Sequence, residues 1–439
     1  MVPRVHVRKN GSRRKTARIV LALALAALAT LTAALALAGC GASLPHADEE
    51  ASADVDVATP GSCGASVLGA LGHVAMRVYG EGIDSERTAS AAHMIEGSAA
   101  LRSAVEAGDT SAARMAAKAL IATGHLTNLR VVRGGKVLVE LGGPALAPLR
   151  GTLLGADNKP IADYVTSVWA AGGIVAETNG IAEATTVIRS ARTASDTRTV
   201  AGSFPLPASQ LPTQGTLTKD GVAYQFTSYA AKAYPDGAPL RVYLLRTLES
   251  VTPLCGASDE DTVVNTLSRI AHLIYDGEAG RRTGKQIHRV QENRALLRAV
   301  ARRDPKATRS AIEALLHQHI VRLRVSAGAR LLADVGGPYV LAPVTALLRQ
   351  GGRTIGSFTL SIQDDEGYKR LAYRLAGLDV LMYVGNKLVK STVGYSPGPV
   401  PASGAFTLHG RSYRAYTFGA EAFPSGPLRI TVLIPAPYS

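Results

Sequence analysis

Apolar residues in the second half of the chain recur every three or four positions, the period expected of helices that bury one side. The clearest stripe comprises Val263, Leu267, Ile270 and Ile274. A second helix is predicted over residues 285–303. A third is predicted to begin at Asp304-Pro305, because a carboxylate can cap free backbone N–H groups and proline suits the first helical position. Its apolar side comprises Ile312, Leu315 and Leu316.

Farther along, the pattern changes to alternating apolar and polar residues, which predicts β-strands. The first two strands form a hairpin across Ala327-Gly328, and a short helix is predicted at 368–375. The first half of the chain has the same order, with its hairpin turn at Gly134-Gly135. The fold class is therefore α+β, with long N-terminal helices and an antiparallel sheet that one short helix interrupts. The strands of the second half are predicted at residues 320–325, 331–335, 355–362, 378–384, 411–419 and 428–434.

The two halves also share short sequences in the same order, about 190 residues apart. The Gly-Gly-Pro segment at 141–144 recurs at 335–338, and the turn at 234–237 recurs at 423–426. Two long copies are too few and too large for a solenoid, so each copy is predicted to be a domain. The predicted domains span residues 63–249 and 255–437.

The N-terminus has the three parts of an export signal. Residues 1–18 contain seven Lys or Arg and no acid, and residues 19–38 are apolar. The Leu-Ala-Gly-Cys sequence that ends at Cys40 resembles the lipobox of bacterial lipoproteins, in which the cysteine receives a lipid. We therefore predict a signal peptide over 1–39 and lipidation of Cys40; the alternative is an uncleaved membrane anchor.

Removal of the signal peptide lowers the net charge of the mature chain. The formal net charge is +14, and loss of the seven basic residues of the signal leaves +7. Residues 40–62 are rich in small and acidic residues and predict a flexible acidic tether. We expect the mature chain to lie at the cell membrane, lipid-anchored on the extracytoplasmic side, with no nucleic acid as a partner.

The helices of the second copy carry a basic cluster that the first copy lacks. The cluster could face anionic lipid headgroups or acidic envelope polymers. The alternative is an ordinary solvated helix surface. Its members are Arg281, Arg282, Lys285, Arg289, Arg294, Arg298, Arg302, Arg303, Lys306 and Arg309.

Lipidation of Cys40 leaves two of the three cysteines, Cys63 and Cys255, each in a Cys-Gly-Ala-Ser sequence. An even pair in an oxidising compartment predicts a disulfide. Equivalent positions of two like domains can meet near a pseudo-two-fold axis, so the bridge would join the beginnings of the two domains. The alternative is two free buried thiols.

Both copies resemble the extracellular Cache (PDC) sensor domain, which has a long N-terminal helix followed by a PAS-like antiparallel sheet. The resemblance is best in the second copy, around its helix pair, its hairpin and the segment 361–368. It implies a pocket for a small molecule, often an organic acid or an amino acid. Such sensors usually lie between two membrane helices and have a cytoplasmic output, and this sequence has neither after its last strand, so a signalling partner in the envelope is expected.

The most polar site in this part of the sequence follows a strand and leads into the short helix. We predict that its residues orient a ligand's ammonium or hydroxyl groups. The alternative is that one of the two acids caps the helix. The first copy has Val168-Trp169-Ala170-Ala171 here, so Trp169 would fill the equivalent space. The predicted ligand residues are Gln363, Asp364, Asp365 and Tyr368.

Nothing in the sequence predicts catalysis. It has no Gly-X-Ser-X-Gly or His-Glu-X-X-His motif, and His317-Gln318-His319 lacks companions at metal-ligand spacing. We therefore expect neither enzymatic activity nor a cofactor nor a metal. The predicted function is a lipid-anchored extracytoplasmic binding or sensory protein for a small molecule. The alternative is a structural or adaptor lipoprotein that binds another envelope protein or an anionic polymer.

Overall fold

A computed structural model describes residues 55–56, 62–193, 195–277, 280–316, 319–394 and 400–436. The predicted signal peptide, Cys40, most of the tether, His317 and Gln318 lie outside the described residues. Within those ranges, no helix is both long enough and apolar enough to cross a membrane.

The first repeat begins with a long helix, continues with three shorter helices and a hairpin, and ends in strands on both sides of another helix. Its helices are α1 (Cys63–Gly80), α2 (Glu86–Glu96), α3 (Ala99–Ala107), α4 (Thr110–Ala122), α5 (Ala171–Ala182) and the single turn α6 (Leu248–Val251). Its strands, after the short β1 (Val55–Asp56), are β2 (Asn128–Arg133), β3 (Lys136–Leu141), β4 (Ala145–Leu146), β5 (Leu149–Leu154), β6 (Pro160–Ser167), β7 (Trp169–Ala170), β8 (Thr185–Ser190), β9 (Thr199–Ala201), β10 (Gln214–Lys219), β11 (Val222–Lys232) and β12 (Pro239–Thr247).

The second repeat has the same elements in the same order, from its long helix to its last strand. Its helices are α7 (Asp259–Gly277), α8 (Arg281–Glu292), α9 (Arg294–Ala301), α10 (Pro305–Leu316) and α11 (Asp365–Ala376). Its strands are β13 (Arg322–Ala327), β14 (Arg330–Gly336), β15 (Val340–Leu341), β16 (Val344–Gln350), β17 (Arg353–Ser361), β18 (Gln363–Asp364), β19 (Asp379–Val384), β20 (Lys387–Ser391), β21 (Ser403–Leu408), β22 (Arg411–Phe423) and β23 (Gly426–Pro435).

The predicted α+β class is confirmed, but each repeat contains an outer and an inner antiparallel sheet where the sequence indicated one, and the first repeat also has the two-stranded sheet β4-β7. The outer sheet has four strands, in the order β3-β2-β6-β5 and β14-β13-β17-β16. The inner sheet contains the longest strands and is ordered β1-β10-β11-β12-β8-β9 in the first repeat and β18-β15-β22-β23-β19-β20 in the second, where β21 also pairs with β22. The helices α5 and α11 precede the long strands of the inner sheet, although in the second repeat β15 and β18 already belong to that sheet before α11 begins.

The helix predicted over 285–303 is two helices, α8 and α9, which meet at Asn293. Asn293 has an extended backbone (φ −70°, ψ 100°), and its side-chain oxygen accepts a hydrogen bond from the Leu296 backbone N–H at 2.9 Å. Asparagine is a favourable N-cap, so it ends one helix and starts the next within a continuous apolar pattern.

The two repeats share a central core made by the long and short helices of both. The long helices α1 and α7 contact each other, and each contacts both α5 and α11 as well as the inner sheet of its own repeat. Buried residues of this core come from both repeats, among them Leu71 and Leu267 at 1% and 0% exposure. Each repeat also has an outer core of its own, which lies between its outer sheet and the helices that precede that sheet.

A disulfide joins Cys63, the first residue of α1, to Cys255, just before α7, with the two Cα atoms 5.6 Å apart. Beside it, the Ser66 hydroxyl donates to the Asp259 carboxylate at 2.7 Å. The beginnings of the two long helices are therefore linked covalently and by a hydrogen bond.

Candidate functional site

The four predicted ligand residues lie at the beginning of α11, and three of them have partners within the protein. Asp364 is the N-cap of α11 and accepts from the Gly367 backbone N–H at 2.7 Å. The Asp365 carboxylate lies 3.5 Å from the Lys390 ammonium. Tyr368 is fully buried, and its hydroxyl donates to the Ala271 carbonyl of α7 at 2.9 Å. These contacts give Asp364 a capping role and Tyr368 a core role; ligand binding by them stays a prediction that no contact here favours.

Gln363, the fourth predicted residue, is 4% exposed, and its side-chain amide has no partner among the residues that the structure describes. The first repeat has Trp169 at this position, on β7, beside Val168 of the outer core. The Trp169 ring packs against the central and outer cores, and the Arg87 guanidinium carbon lies 5.3 Å from its centroid. The two repeats thus place an aromatic and an amide side chain at equivalent positions.

An open cleft of about 890 Å³ lies on the exposed side of the same helix. One wall is a face of α11, and the other is formed by the β21–β22 turn and the segment after β20. Arg77 and Glu86 of the first repeat complete it. We call this site the basic cleft. Its charged and aromatic residues are Arg77, Glu86, Glu366, Lys369, Arg370, Tyr373, Arg374, Asp379, His409, Arg411 and Tyr413.

Two arginines of the basic cleft hold the C-terminal end of α11 against the first repeat. The Arg77 guanidinium donates to the carbonyls of Tyr373 at 2.7 Å and Arg374 at 3.0 Å, both in the last turn of α11. Arg374 in turn pairs with Glu81 at 2.9 Å. Burial raises the pKa of Glu81, and the charge of Arg374 opposes this shift. These contacts have a structural role and fix the position of the wall.

The carboxylate of Glu366 is neutralised within the protein. It lies 2.7 Å from the Lys369 ammonium and 2.8 Å from the Lys390 ammonium. Hydrogen bonds from these two lysines lower the pKa of Glu366 to about 2. Glu366 therefore stays ionised at physiological pH and occupies both lysines, so neither is the main candidate for binding an anion.

Arg370 and Arg411 are the cations of the basic cleft that remain for a ligand. Both are exposed, and across the described parts of the chain neither forms an ion pair with a carboxylate. Tyr373 is 57% exposed, an unusual position for an aromatic ring, and the Arg77 guanidinium carbon lies 5.9 Å from its centroid. The basic cleft therefore offers guanidinium donors beside an aromatic surface.

Asp379 and Arg411 shift the pKa of Tyr413 in the lining of the basic cleft. Burial is the main cause that raises the pKa of Tyr413; the charge of Asp379 adds to this shift and that of Arg411 opposes it. Asp379 and Arg411 also hydrogen-bond the Tyr413 side chain, which is 3% exposed, so its hydroxyl stays neutral in the lining of the basic cleft.

The equivalent face of α5 in the first repeat has no such chemistry. Ala176, Asn179 and Gly180 stand where α11 has Arg370, Tyr373 and Arg374. The Asn179 side-chain oxygen accepts from the Thr186 backbone N–H at 2.9 Å. Only the second repeat therefore presents cations and an aromatic ring on this helix.

The residues of the α11 wall have a helical spacing in the sequence, which could have identified this face. Glu366, Lys369, Arg370, Tyr373 and Arg374 recur at intervals of three and four, which places them on one face of a helix. The opposite wall has no such signal, because Asp379 and Arg411 meet only when β19 and β22 pair with β23.

The remaining predictions concern the basic helices and metals. Arg294, Arg298 and Arg302 are exposed along α9, and Arg309 pairs with Glu313 at 3.8 Å on α10. Throughout the described residues, no group of three His, Cys, Asp or Glu side chains is arranged to hold a metal ion.

No protein-family model and no curated protein matches the sequence. Similar solved structures include two of the periplasmic domain of Vibrio cholerae LuxQ, both at a TM-score of 0.28, with 12% and 15% identity. Each covers 38% of this chain, and the shares of the LuxQ chains covered are 96% and 97%. An extracellular ligand binding receptor from Desulfohalobium retbaense DSM5692 has a TM-score of 0.23 and 12% identity over 53% of this chain and 46% of its own. The fold class rests on the elements and sheets described above.

Proposed function

We propose that this chain is a lipid-anchored binding protein outside the cytoplasm whose second, Cache-like repeat recognises a small organic anion in the basic cleft. In this proposal it binds its ligand without transforming it and passes the signal to an envelope partner. The observation that carries the proposal is the pair of exposed guanidinium groups, Arg370 and Arg411, with no carboxylate partner across the described parts of the chain, beside the exposed ring of Tyr373.

The size and chemistry of the basic cleft support a carboxylate as the recognised group. About 890 Å³ falls within the range of small-molecule pockets, and a guanidinium fork matches the two oxygens of a carboxylate. Tyr413 supplies a hydroxyl, and Asp379 could accept from an ammonium group. An organic acid would use the cationic side alone, whereas an amino acid would also use the carboxylate.

Isothermal titration and thermal shift of the full chain in detergent, with dicarboxylates, amino acids and polyamines, test this proposal. A carboxylate should raise the melting temperature by mass action, and Arg370→Gln should weaken its binding about tenfold or more, since a hydrogen bond to a charged group is lost. The matched control is Arg330→Gln, an exposed arginine of β14, which should bind as the native chain does. The proposal fails if no carboxylate binds, if polyamines bind instead, or if Arg370→Gln changes nothing.

The anchor requires a separate test, because its residues lie in another part of the chain. Mass spectrometry of the mature protein should find Cys40 as a lipidated N-terminus. Cys40→Ala should leave the hydrophobic segment attached, because processing of a lipobox depends on the cysteine. Recovery of native protein with an unmodified Cys40 and an intact segment would contradict the anchor and leave ligand binding untouched.

A second candidate function is binding of an anionic envelope polymer by the exposed arginines of α9. Arg294, Arg298 and Arg302 form no ion pair within the described residues, and the first repeat has Ala99, Ser103 and Ala107 instead. Binding to polyphosphate that Arg298→Gln weakens and Arg370→Gln does not would favour this adaptor function.

A further inference from the structure

Two arginines lie directly opposite each other across the paired strands β8 and β12. Arg189 and Arg241 are partners in the antiparallel register. Like charges at opposite positions of a sheet destabilise it unless something neutralises them. At the equivalent register of the second repeat, Tyr383 faces Arg429, and the guanidinium carbon lies 4.8 Å from the ring centroid. The second repeat thus places an aromatic ring where the first has a second cation.

Among the residues that the structure describes, Arg189 is buried without a counter-ion. It is only 4% exposed, and its guanidinium donates to the carbonyls of Thr197 at 2.7 Å and Pro207 at 2.8 Å. Carbonyl oxygens satisfy the N–H groups of Arg189 but do not neutralise its positive charge. No carboxylate pairs with Arg189 in the part of the chain that the structure covers. A buried charge without a partner is costly, so its presence calls for a neutralising group.

Both arginines line a cleft of about 430 Å³ at the edge of the inner sheet of the first repeat. Arg192 also lines it but pairs with Asp236 at 2.6 Å. One carboxylate, Asp196, lies in the lining and is hydrogen-bonded by the Ser190 hydroxyl. Thr193, Ser209 and Gln210 add polar groups to the wall.

We infer that this cleft binds a phosphate group between the guanidinium groups of Arg189 and Arg241. Two planar guanidinium groups can donate to several oxygens of one phosphate, whose charge offsets both. The phosphate would stabilise Arg241 against Arg189, as the Tyr383 ring stabilises Arg429 in the second repeat. The site is separate from the basic cleft, so it stands whether or not the basic cleft binds an organic anion.

Isothermal titration and thermal shift of the full chain test the inference with inorganic phosphate and, in a second arm, glycerol 3-phosphate. Arg241→Gln is the informative variant, because Arg241 is only partly buried and the fold can tolerate its loss. We expect this variant to weaken phosphate binding about tenfold or more. Arg429→Gln, the matched control in the second repeat, should leave binding unchanged. Tighter binding of glycerol 3-phosphate than of phosphate would identify a monoester as the ligand; the reverse would identify the free ion.

A second variant copies the arrangement of the second repeat. Arg189→Tyr places a ring opposite Arg241, so it should keep the fold and lose phosphate binding. Three results would overturn the inference: no binding of either compound at millimolar concentration, binding retained by Arg241→Gln, or equal weakening by Arg429→Gln, which would indicate a general ionic effect.

Discussion

The first and second repeats keep an equivalent hydrogen bond between the long helix and the inner sheet, and they differ in the residues that line their clefts. In the first, the Tyr79 hydroxyl accepts from the Lys232 backbone N–H at 2.9 Å; in the second, Tyr275 accepts from Glu421 at 2.9 Å. Each pair joins a long helix to an inner sheet. This contact between helix and sheet is therefore retained in both copies.

The differences lie in side chains that face clefts or strand edges. The α11 face carries Arg370 where α5 has Ala176, and the register position of Arg189 holds Tyr383 in the second repeat. Because a shared scaffold fixes the backbone at these positions, changes in polarity there alter binding without altering the fold. The comparison indicates that the repeats have one architecture and different ligand chemistry.

The largest loss of stability should follow a mutation in the core that the two repeats share. Leu267→Ala in α7 removes a fully buried side chain and should cost about 2–5 kcal/mol in the free energy of unfolding. The fluorescence of Trp169, the single tryptophan, reports on the first repeat. The midpoint of denaturant unfolding, measured by Trp169 fluorescence, should shift to lower denaturant although the mutation lies in the second repeat. Leu71→Ala, the matched change in α1, should shift it similarly, and an unchanged Trp169 transition in Leu267→Ala would show that the repeats unfold independently.

The next effect tests the covalent link between the repeats. Cys63→Ser removes a bridge between positions 192 residues apart and should cost about 2–4 kcal/mol, mainly by freeing the unfolded chain. The midpoint of denaturant unfolding measures it. The native protein under a reducing agent should match the variant; equal midpoints for oxidised and reduced native protein would mean that the bridge does not stabilise the fold.

A smaller, pH-dependent loss of stability should distinguish the outer sheets, because their ion pairs differ. The Asp334 carboxylate lies 2.8 Å from Arg322 and 2.7 Å from Arg324. Burial alone raises the pKa of Asp334, but the hydrogen bonds from both arginines outweigh it and leave the pKa below its ordinary value. The stabilisation is therefore present above the unfolded pKa and is lost as pH falls through the lower folded value.

Asp334→Asn should cost about 1–3 kcal/mol at neutral pH, and the difference from the native chain should shrink below about pH 4. Urea unfolding at several pH values measures this. Glu140→Gln in the first repeat is the comparison, since its carboxylate is 3.9 Å from Arg130 and half exposed, and it should cost much less. A pH-independent difference for Asp334→Asn would contradict the electrostatic account.

The smallest effect concerns buried tyrosine hydroxyls. Tyr368 donates to the Ala271 carbonyl at 2.9 Å, and Tyr229 donates to the equivalent Ala75 carbonyl at 3.2 Å. Replacing either tyrosine with phenylalanine should cost about 1 kcal/mol, measured by thermal unfolding. Ligand binding should not change in Tyr368→Phe if its role is to pack the core; a selective loss of binding would return Tyr368 to the ligand site that the sequence predicted.

Much of the fold followed from local patterns. The helix predicted to begin at Asp304-Pro305 does so, because the Asp304 carboxylate accepts from the Ala307 backbone N–H at 3.0 Å, and the hairpin of β13 and β14 follows the alternation of its residues. The division into two sheets did not follow, because a strand's partners depend on how the chain returns after α5 or α11. The short strand β20 was missed for the same reason, since β19 is its one partner strand within the described residues.

Repeated motifs, hydrophobic period and composition are local properties of the chain, and they were enough to predict the duplication, the α+β class and the cysteine pair. The folded chain was needed to show that both repeats share one core, that Asp364 caps a helix, and that Arg189 faces Arg241. These depend on strand register and helix contacts between residues far apart in sequence, and the free energy of burying such groups is set by what surrounds them in the folded chain.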